Sequence, residues 1–130
     1  MVVLDLSAGA GYTSQLMALS VGAAARLNAQ RTQPGEALTK RLADRPQANI
    51  VVVYRPSEDP VPPDAPKFDL VTFVNNYHDF VNAPIDRAKL LRRLFDALKP
   101  GGRLVIVDHS ALPGSGTAAT RTLHRIDEAV

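Results

Sequence analysis

The chain contains no cysteine, and it has no long apolar run. The absence of cysteine excludes disulfides, thiolate-ligated metal centres and cysteine nucleophiles, and it is compatible with the cytoplasmic location that we expect. No apolar run approaches the roughly 20 residues that a membrane-spanning helix needs, so we expect no membrane partner. The first residues also lack the basic lead and apolar segment of a secretion signal.

A strong charge of either sign is missing as well. Fifteen Lys and Arg residues against 13 Asp and Glu residues give a formal net charge of +2 at pH 7. Arg87, Arg92 and Arg93 fall on one predicted helix, where a solvated helix face explains them better than a phosphate-binding surface. The charge pattern therefore predicts no nucleic-acid partner. The length of 130 residues and the apolar fraction of 45% suit one soluble domain with a real core.

Predicted strands and helices alternate along the chain. Leu16 and Met17 are expected in the core of the first helix, and Pro84 in the first turn of a later one. The run Lys99-Pro100-Gly101-Gly102 is expected to end that later helix and turn the chain. The alternation predicts a mainly parallel α/β sheet with helices on its faces. The predicted strands cover residues 2–6, 25–30, 49–55, 68–75 and 103–108, and the helices residues 12–21, 35–45, 84–98 and 120–130.

A turn of small residues follows the first strand in the stretch VLDLSAGAGY. Gly9 and Gly11 leave room for a ligand to approach the backbone, and the next helix offers free N–H groups. Asp5 lies within the apolar strand, and because a buried carboxylate is unfavourable unless paired, we expect it to face a polar or cationic ligand group. The third glycine of the dinucleotide fingerprint is absent, and no Gly-Lys-Ser/Thr follows, which excludes a P-loop.

Three segments resemble class I S-adenosylmethionine-dependent methyltransferases. VLDLSAGAGY resembles their first motif, FDLVTFVNNYHDF their fourth-strand region, and LLRRLFDALKPGGRLVIVDHSA their later helix, turn and fifth strand. The stretch DHSALPGSGTAATRTLHRID also resembles a subgroup of bacterial predicted methyltransferases. The resemblance implies a three-layer Rossmann-like α/β/α sandwich over residues 1–130, with strand order 3-2-1-4-5. The last two strands of the usual seven are missing, so we expect a single but incomplete domain.

The resemblance also implies a cofactor, S-adenosylmethionine, and places residues around its methionine end. Asp5 would bind the amino group, directly or through water. Gly9 and Gly11 would let the backbone pass close to the cofactor. Asn75 and Asn76, after the fourth strand, would lie beside the methionine portion.

Other positions implied by the resemblance depart from the family pattern. Ser57 and Glu58 would lie near the adenine. Ser7 stands in place of the first glycine, which a serine fits if its φ is negative. Gln30 and Arg31 stand where the family has an acidic residue that grips the ribose hydroxyls. An amide contact is weaker than a charge-assisted one, so we expect weaker cofactor binding than with Asp or Glu.

Methyl transfer from a sulfonium needs mainly positioning, and a base only if the acceptor must lose a proton. His78 is the predicted catalytic residue, since it follows the fourth strand and has an ordinary pKa of ~6.5, although a packing role is the alternative. Asp108 and His109 end the fifth strand, but neighbouring strand residues point to opposite faces, and we expect no metal site. His124 and Arg125 are expected on the surface of the last helix, with closure over the site from the segment after the fifth strand as the alternative.

Three functions are compatible with these features. The first is methyl transfer from S-adenosylmethionine to a small-molecule acceptor. The second is a cofactor-binding module without turnover, favoured by Gln30 and Arg31 and by the missing strands. The third is an NADP-linked oxidoreductase, because an arginine near the end of the second strand can receive a 2′-phosphate. The fifth strand would be an exposed edge, so we expect a homodimer through it or instability in isolation.

Overall fold

A computed structural model of the protein describes all of residues 1–130 and contains five strands and five helices. None of the helices combines the length and the apolar character that a membrane crossing requires. The elements are β1 (Val2–Leu6), α1 (Tyr12–Val21), β2 (Arg26–Arg31), α2 (Glu36–Asp44), β3 (Ile50–Tyr54), β4 (Phe68–Val74), α3 (Tyr77–Asn82), α4 (Arg87–Ala97), β5 (Leu98–Val107) and α5 (Thr120–Leu123).

The five strands form one parallel sheet in the order β3-β2-β1-β4-β5, which confirms the predicted order. The central strand, β1, is buried from Val3 to Leu6, as its apolar run predicts for a strand covered on both faces. Because all strands run the same way, their carboxyl ends meet at one edge of the sheet. The ends of β1 and β2 and the segments that follow β1, β3 and β4 therefore carry the predicted site residues to that edge.

Helices cover both faces of the sheet, so the predicted three-layer arrangement is confirmed. On one face, α3 and α4 pack over a core of 12 buried residues that includes Leu4, Phe73 and Leu94. The ring of Phe73 meets those of Tyr77 and Phe80 edge-on, with centroids 5.3 and 4.9 Å away. The core on the opposite face, beneath α1, has only four buried residues. The two faces thus contribute unequally to stability.

Helix α1 turns small and polar side chains toward the sheet. Its buried residues are Ser14, Gln15 and Ala18. Met17 is half-buried against the small core, but Leu16 is 47% exposed. The expectation that Leu16 lies in the core was therefore wrong, because α1 packs on the sheet through Ser14, Ala18 and Met17 and turns Leu16 and Leu19 to solvent.

The segment after β4 differs from the prediction. A short helix, α3, was not predicted, and α4 begins at Arg87 rather than near Pro84. The side chain of Asp86 caps α4 by accepting a hydrogen bond from the backbone N–H of Lys89 at 3.0 Å. Pro84 therefore lies in the linker before α4 and not in its first turn.

The Lys-Pro-Gly-Gly segment ends α4 as predicted, since α4 stops at Ala97. The segment then belongs to β5, whose register with β4 is irregular between Phe68 and Leu70. A Cβ on Gly102 would lie 2.9 Å from the carbonyl oxygen of Phe68, so only glycine allows this close approach. The regular pairing of β5 begins at Arg103, as predicted.

Candidate functional site

The turn after β1 is held in a left-handed backbone conformation. Ser7, Gly9 and Gly11 have φ angles of 52°, 54° and 79°. The positive φ of Ser7 contradicts the negative value that was expected to let serine replace glycine, and it costs about 1–2 kcal/mol. The N–H of Ser7 donates to Oε1 of Gln30 at 3.0 Å, which helps to hold this conformation.

The two glycines of the turn have different surroundings. A Cβ on Gly11 would lie 2.4 Å from Cδ1 of Leu38, a buried residue of α2. A Cβ on Gly9 would meet only the carbonyl oxygen of Ser7, at 3.8 Å. Gly11 therefore allows α2 to pack against the turn, whereas the exposed Gly9 leaves open space beside the backbone.

The carboxylate of Asp5 is closed off by neighbouring side chains. Asp5 is 2% exposed, and its oxygens accept hydrogen bonds from Oγ of Ser14 at 2.5 Å and from Oγ1 of Thr72 at 2.9 Å. Burial raises the pKa of Asp5, and these two hydrogen bonds lower it only in part. Asp5 thus links β1, α1 and β4. Its carboxylate could contact the cofactor only if the hydroxyl groups of Ser14 and Thr72 moved aside.

The residues at the end of β2 bind the glycine turn. Gln30 is fully buried; besides accepting from Ser7, its Nε2 donates to the carbonyl oxygen of Arg55 at 2.6 Å. The guanidinium of Arg31 donates to the carbonyl oxygens of Gly9 and Gln33. The structure therefore places a cation at the surface where the family has an acidic residue, with the amide of Gln30 behind the turn.

The two residues predicted near the adenine lie in the turn after β3. Ser57 is half-buried and Glu58 is exposed. Glu58 lines a cleft whose other side is formed by α4, including Arg92 and Arg93. The structure thus brings Glu58 beside α4, and no hydrogen bond or ion pair joins it to the glycine turn.

The two asparagines after β4 lie at the carboxyl edge of the sheet. Asn75 is exposed with a φ of 54°, and its N–H donates to the carbonyl oxygen of Val107 at 2.7 Å. Asn76 is nine-tenths buried, and its Nδ2 donates to the carbonyl oxygen of Leu6 at 2.6 Å. Its Oδ1 has no hydrogen-bond partner. A buried acceptor without a donor costs about 1–3 kcal/mol, so a donor from a water molecule or a ligand would be favourable there.

His78 is held by Asp108, a pairing that the sequence did not predict. Nδ1 of His78 lies 2.8 Å from Oδ1 of Asp108, and the N–H of His78 donates to Oδ2 at 2.9 Å. Burial raises the pKa of Asp108, but hydrogen bonds from His78 and from the N–H of His109 outweigh it, so the pKa lies below its ordinary value. The ionised carboxylate keeps a hydrogen on Nδ1 and leaves Nε2 of His78 with a lone pair.

His124 completes this group from the far end of the chain. It is exposed and follows α5 directly, as a surface position would, but its φ of 51° directs its ring onto His78. Nδ1 of His124 lies 3.2 Å from Nε2 of His78, and the ring centroids are 5.1 Å apart. Arg125 donates instead to the carbonyl oxygen of Ser110 at 2.8 Å. Closure of His124 over the site was the alternative interpretation of this segment, but its pairing with His78 was not predicted, because 46 residues separate the two histidines.

A cavity of about 450 Å³ lies beside Asp108, between β5 and the C-terminal segment. Its walls combine apolar groups such as Tyr77 and Ile126 with the acidic residues Asp127 and Glu128. Its volume is in the range of small-molecule sites. The cavity and the His78 ring therefore share one carboxylate, that of Asp108.

Several solved structures with a similar fold are methyltransferases. The chain superimposes with a TM-score of 0.72 on a SAM-dependent methyltransferase from Aquifex aeolicus, at 22% identity over 85% of this chain and 57% of that one. For an arsenic(III) S-adenosylmethionine methyltransferase from Chlamydomonas reinhardtii, the TM-score is 0.69 at 25% identity, over 88% of this chain and 42% of that one. For a glycopeptide N-methyltransferase complexed with S-adenosylmethionine, the TM-score is 0.67 at 22% identity, over 85% of this chain and 48% of that one. The chain thus spans about half the length of these proteins.

The family itself is shown by sequence. No curated protein sequence matches the chain significantly. A family model described as a methyltransferase domain, however, matches residues 3–102, which include β1, the glycine turn, β4 and the start of β5. The chain therefore belongs to the family of class I, S-adenosylmethionine-dependent methyltransferase domains.

Proposed function

We propose that the protein binds S-adenosylmethionine at the carboxyl edge of β1 and β4 and transfers its methyl group to a small-molecule acceptor. The observation that carries this proposal is the buried, unpartnered Oδ1 of Asn76 beside the glycine turn. An ammonium group has only donors, so the amino group of the cofactor's methionine end fits this acceptor. The open space beside Gly9 leaves the backbone accessible next to it.

The remaining cofactor contacts would come from the same edge. Ser7 and Asn75 flank the open turn, and the Arg31 guanidinium can donate to a ribose hydroxyl oxygen. Ser57 stays our candidate for the adenine side, with Glu58 as a second residue of that turn. The charge of Arg31 differs from that of the acidic residue in the family, which supports our expectation of weak cofactor binding.

Three buried or closely packed residues would act by shaping the site. Gln30 bridges the turn to β3, and Gly11 allows α2 to pack against it. Asp5 holds Ser14, the third residue of α1, through a hydrogen bond. A direct contact of Asp5 with the cofactor stays a prediction, and the variant described in the Discussion tests it.

His78 is the residue that we propose for activating the acceptor. When bound, S-adenosylmethionine supplies a methyl group that its sulfonium already activates. Asp108 fixes the ring of His78 and keeps the hydrogen on Nδ1, so Nε2 can take a proton from the acceptor. The acceptor would lie in the cavity beside Asp108 and would have to extend past that carboxylate to reach Nε2, because His78 does not line the cavity. Three carboxylates and no basic side chain line that cavity, which favours a neutral or cationic small molecule.

Calorimetric titrations test the cofactor site. S-adenosylhomocysteine and methylthioadenosine share the nucleoside, but only the first has the amino acid portion. If Asn76 binds the amino group, Asn76→Ala weakens S-adenosylhomocysteine at least tenfold, or about 1.4 kcal/mol, and leaves methylthioadenosine unchanged. Asn82→Ala, outside the turn, is the control. If Asn76→Ala weakened the binding of both ligands equally, Asn76 would not be the residue that binds the amino group.

The same titrations distinguish the alternative functions. The family membership favours S-adenosylmethionine over a nicotinamide dinucleotide, and tighter binding of NADPH would overturn that preference. A cofactor-binding module without turnover is supported by the cation at Arg31. It would bind S-adenosylmethionine but would transfer no methyl group to any member of a panel of neutral and cationic small acceptors.

A further inference from the structure

We propose that His78, Asp79 and His124 form a binding site for a divalent transition-metal cation. One possible ligand atom from each of these three side chains lies within 4.8 Å of those of the other two. The distance from Nε2 of His78 is 3.2 Å to the His124 nitrogen and 3.5 Å to the Asp79 oxygen. The expectation of no metal site rested on three histidines without further clustered carboxylates, because the sequence does not show that His124 and Asp79 both reach His78.

The spacing of the three atoms suits a small cation. Zinc lies 2.0–2.1 Å from imidazole nitrogens, so two nitrogens of a tetrahedral site are separated by about 3.3 Å. The two histidine nitrogens are already 3.2 Å apart. A cation between them would therefore need little movement of either ring, and the Asp79 carboxylate would supply a third ligand and a negative charge.

The protonation states also suit a cation. The hydrogen bond to Asp108 keeps a hydrogen on Nδ1 of His78 and directs the lone pair of Nε2 toward the space between this atom and Nδ1 of His124. Without a metal, Nδ1–H of His124 donates to Nε2 of His78. If the hydrogen of His124 moved to its own Nε2, Nδ1 of His124 would offer the cation a second lone pair. A carboxylate behind a ligating histidine, as Asp108 is here, orients the ring and makes it a stronger ligand.

The donor set indicates which cations the site takes. Two imidazoles and one carboxylate suit zinc and related transition metals, whereas magnesium and calcium prefer oxygen ligands alone. Asp79 and His124 are exposed, so a cation can enter from solvent. Three protein ligands leave a position open for water or another ligand, which is typical of catalytic rather than structural sites.

Metal binding does not rest on the proposed methyl transfer. If the protein both binds the metal and transfers a methyl group, the cation would occupy the space beside Nε2 of His78, where this nitrogen would otherwise take up a proton. His78 then acts as a ligand, and the cation lowers the pKa of an acceptor group bound at the open position, which releases its proton to water. Cofactor binding at the glycine turn is separate from this step.

Calorimetric titration of the full chain with zinc tests the site. We expect one zinc per chain, and no binding of magnesium at the same concentrations. His124→Gly and Asp79→Asn should each weaken zinc binding at least tenfold. His124→Gly keeps the backbone conformation, because glycine adopts a positive φ readily. The control is His109→Ala, which removes a neighbouring exposed histidine outside the cluster and should bind zinc like the unmodified chain.

Two results would overturn the proposal. One is the absence of saturable zinc binding to the unmodified chain, which would make the His78–His124 contact an ordinary hydrogen bond. The other is equal zinc affinity in His124→Gly and His109→Ala, which would place the metal elsewhere. Circular dichroism of each variant checks that it is folded. Zinc binding without S-adenosylhomocysteine binding would overturn the cofactor proposal alone, and the reverse result would overturn the metal site alone.

Discussion

At the residue scale, the key positions are polar groups whose partners lie far away in sequence. Asp5, Ser7 and Asn76 could be placed at the carboxyl edge of the sheet from the sequence, because each follows or lies in a recognisable strand. Their hydrogen bonds could not be predicted. Asp5 bonds Thr72 across 67 residues, and His78 bonds Asp108 across 30. Such pairs depend on the register of neighbouring strands, which local patterns do not encode.

Asp5 gives a prediction about pH. Since its pKa is raised in the folded protein, the folded state holds the proton more tightly than the unfolded state does, and stability decreases as pH rises above the ordinary value of 3.8. Asp5→Asn removes this charge and should raise the melting temperature at neutral pH. The gain should shrink toward pH 3.8 and below, where Asp5 is protonated in both states.

Thermal unfolding of both proteins across this pH range checks the prediction, and a gain independent of pH would contradict it. Ser14→Ala, which removes one donor to the carboxylate and keeps the charge, should instead lower the melting temperature. The same Asp5→Asn variant tests the direct cofactor contact. A tenfold loss of S-adenosylhomocysteine affinity would support that contact, and an unchanged affinity would support a shaping role.

Ser7 gives a second prediction, because its φ of 52° is one that side chains rarely adopt. Ser7→Gly should increase the free energy of unfolding by up to about 1 kcal/mol, since glycine adopts this conformation without strain. Urea denaturation measures the change. Ala8→Gly is the matched control; Ala8 has no positive φ, so glycine there should decrease stability. A decrease in both variants would show that Ser7 is not strained.

At the element scale, the periodic segments were predicted well and the short or irregular ones were not. The strands and the helices α1, α2 and α4 follow apolar patterns long enough to recognise. Helix α3 has only six residues, and α5 only four, so neither shows a full amphipathic period. The exposure of Leu16 could not be foreseen either, since it depends on how closely α1 approaches the sheet.

The packing of α2 against the glycine turn gives a prediction at this scale. Gly11→Ala combines a positive φ with a Cβ only 2.4 Å from Leu38, so it should decrease the free energy of unfolding by more than about 2 kcal/mol. Gly101→Ala has the same φ, 79°, but nothing within 4 Å, and should cost only about 1 kcal/mol. Similar losses in urea denaturation would show that Leu38 moves aside readily.

At the scale of the whole molecule, β5 forms an open edge of the sheet. Only one side of β5 is paired, and Val105, Ile106 and Val107 are exposed. Unpaired backbone groups beside apolar side chains favour association. We therefore expect a concentration-dependent homodimer through β5, which light scattering after size exclusion can detect. A monomer at every concentration would contradict this.

A pair of variants tests whether the dimer uses that edge. Val105→Lys places a charge on the edge strand and should shift the equilibrium toward monomer at least tenfold. Phe95→Lys changes a more exposed apolar residue on α4, away from the edge, and should leave the equilibrium unchanged. An equal effect of both variants would point to general hydrophobic association instead.

The unequal cores on the two faces of the sheet have a consequence for motion. Twelve buried residues anchor α3 and α4, but only four lie beneath α1. The α1 layer should therefore open locally at lower free energy, and its backbone amides should exchange with deuterium faster than those of α4. The glycine turn leads directly into this looser layer. A ligand bound at the turn would slow exchange along α1 far more than along α4. The layer of α3 and α4 would therefore be rigid with or without ligand, and the α1 layer would become rigid only when the ligand is bound.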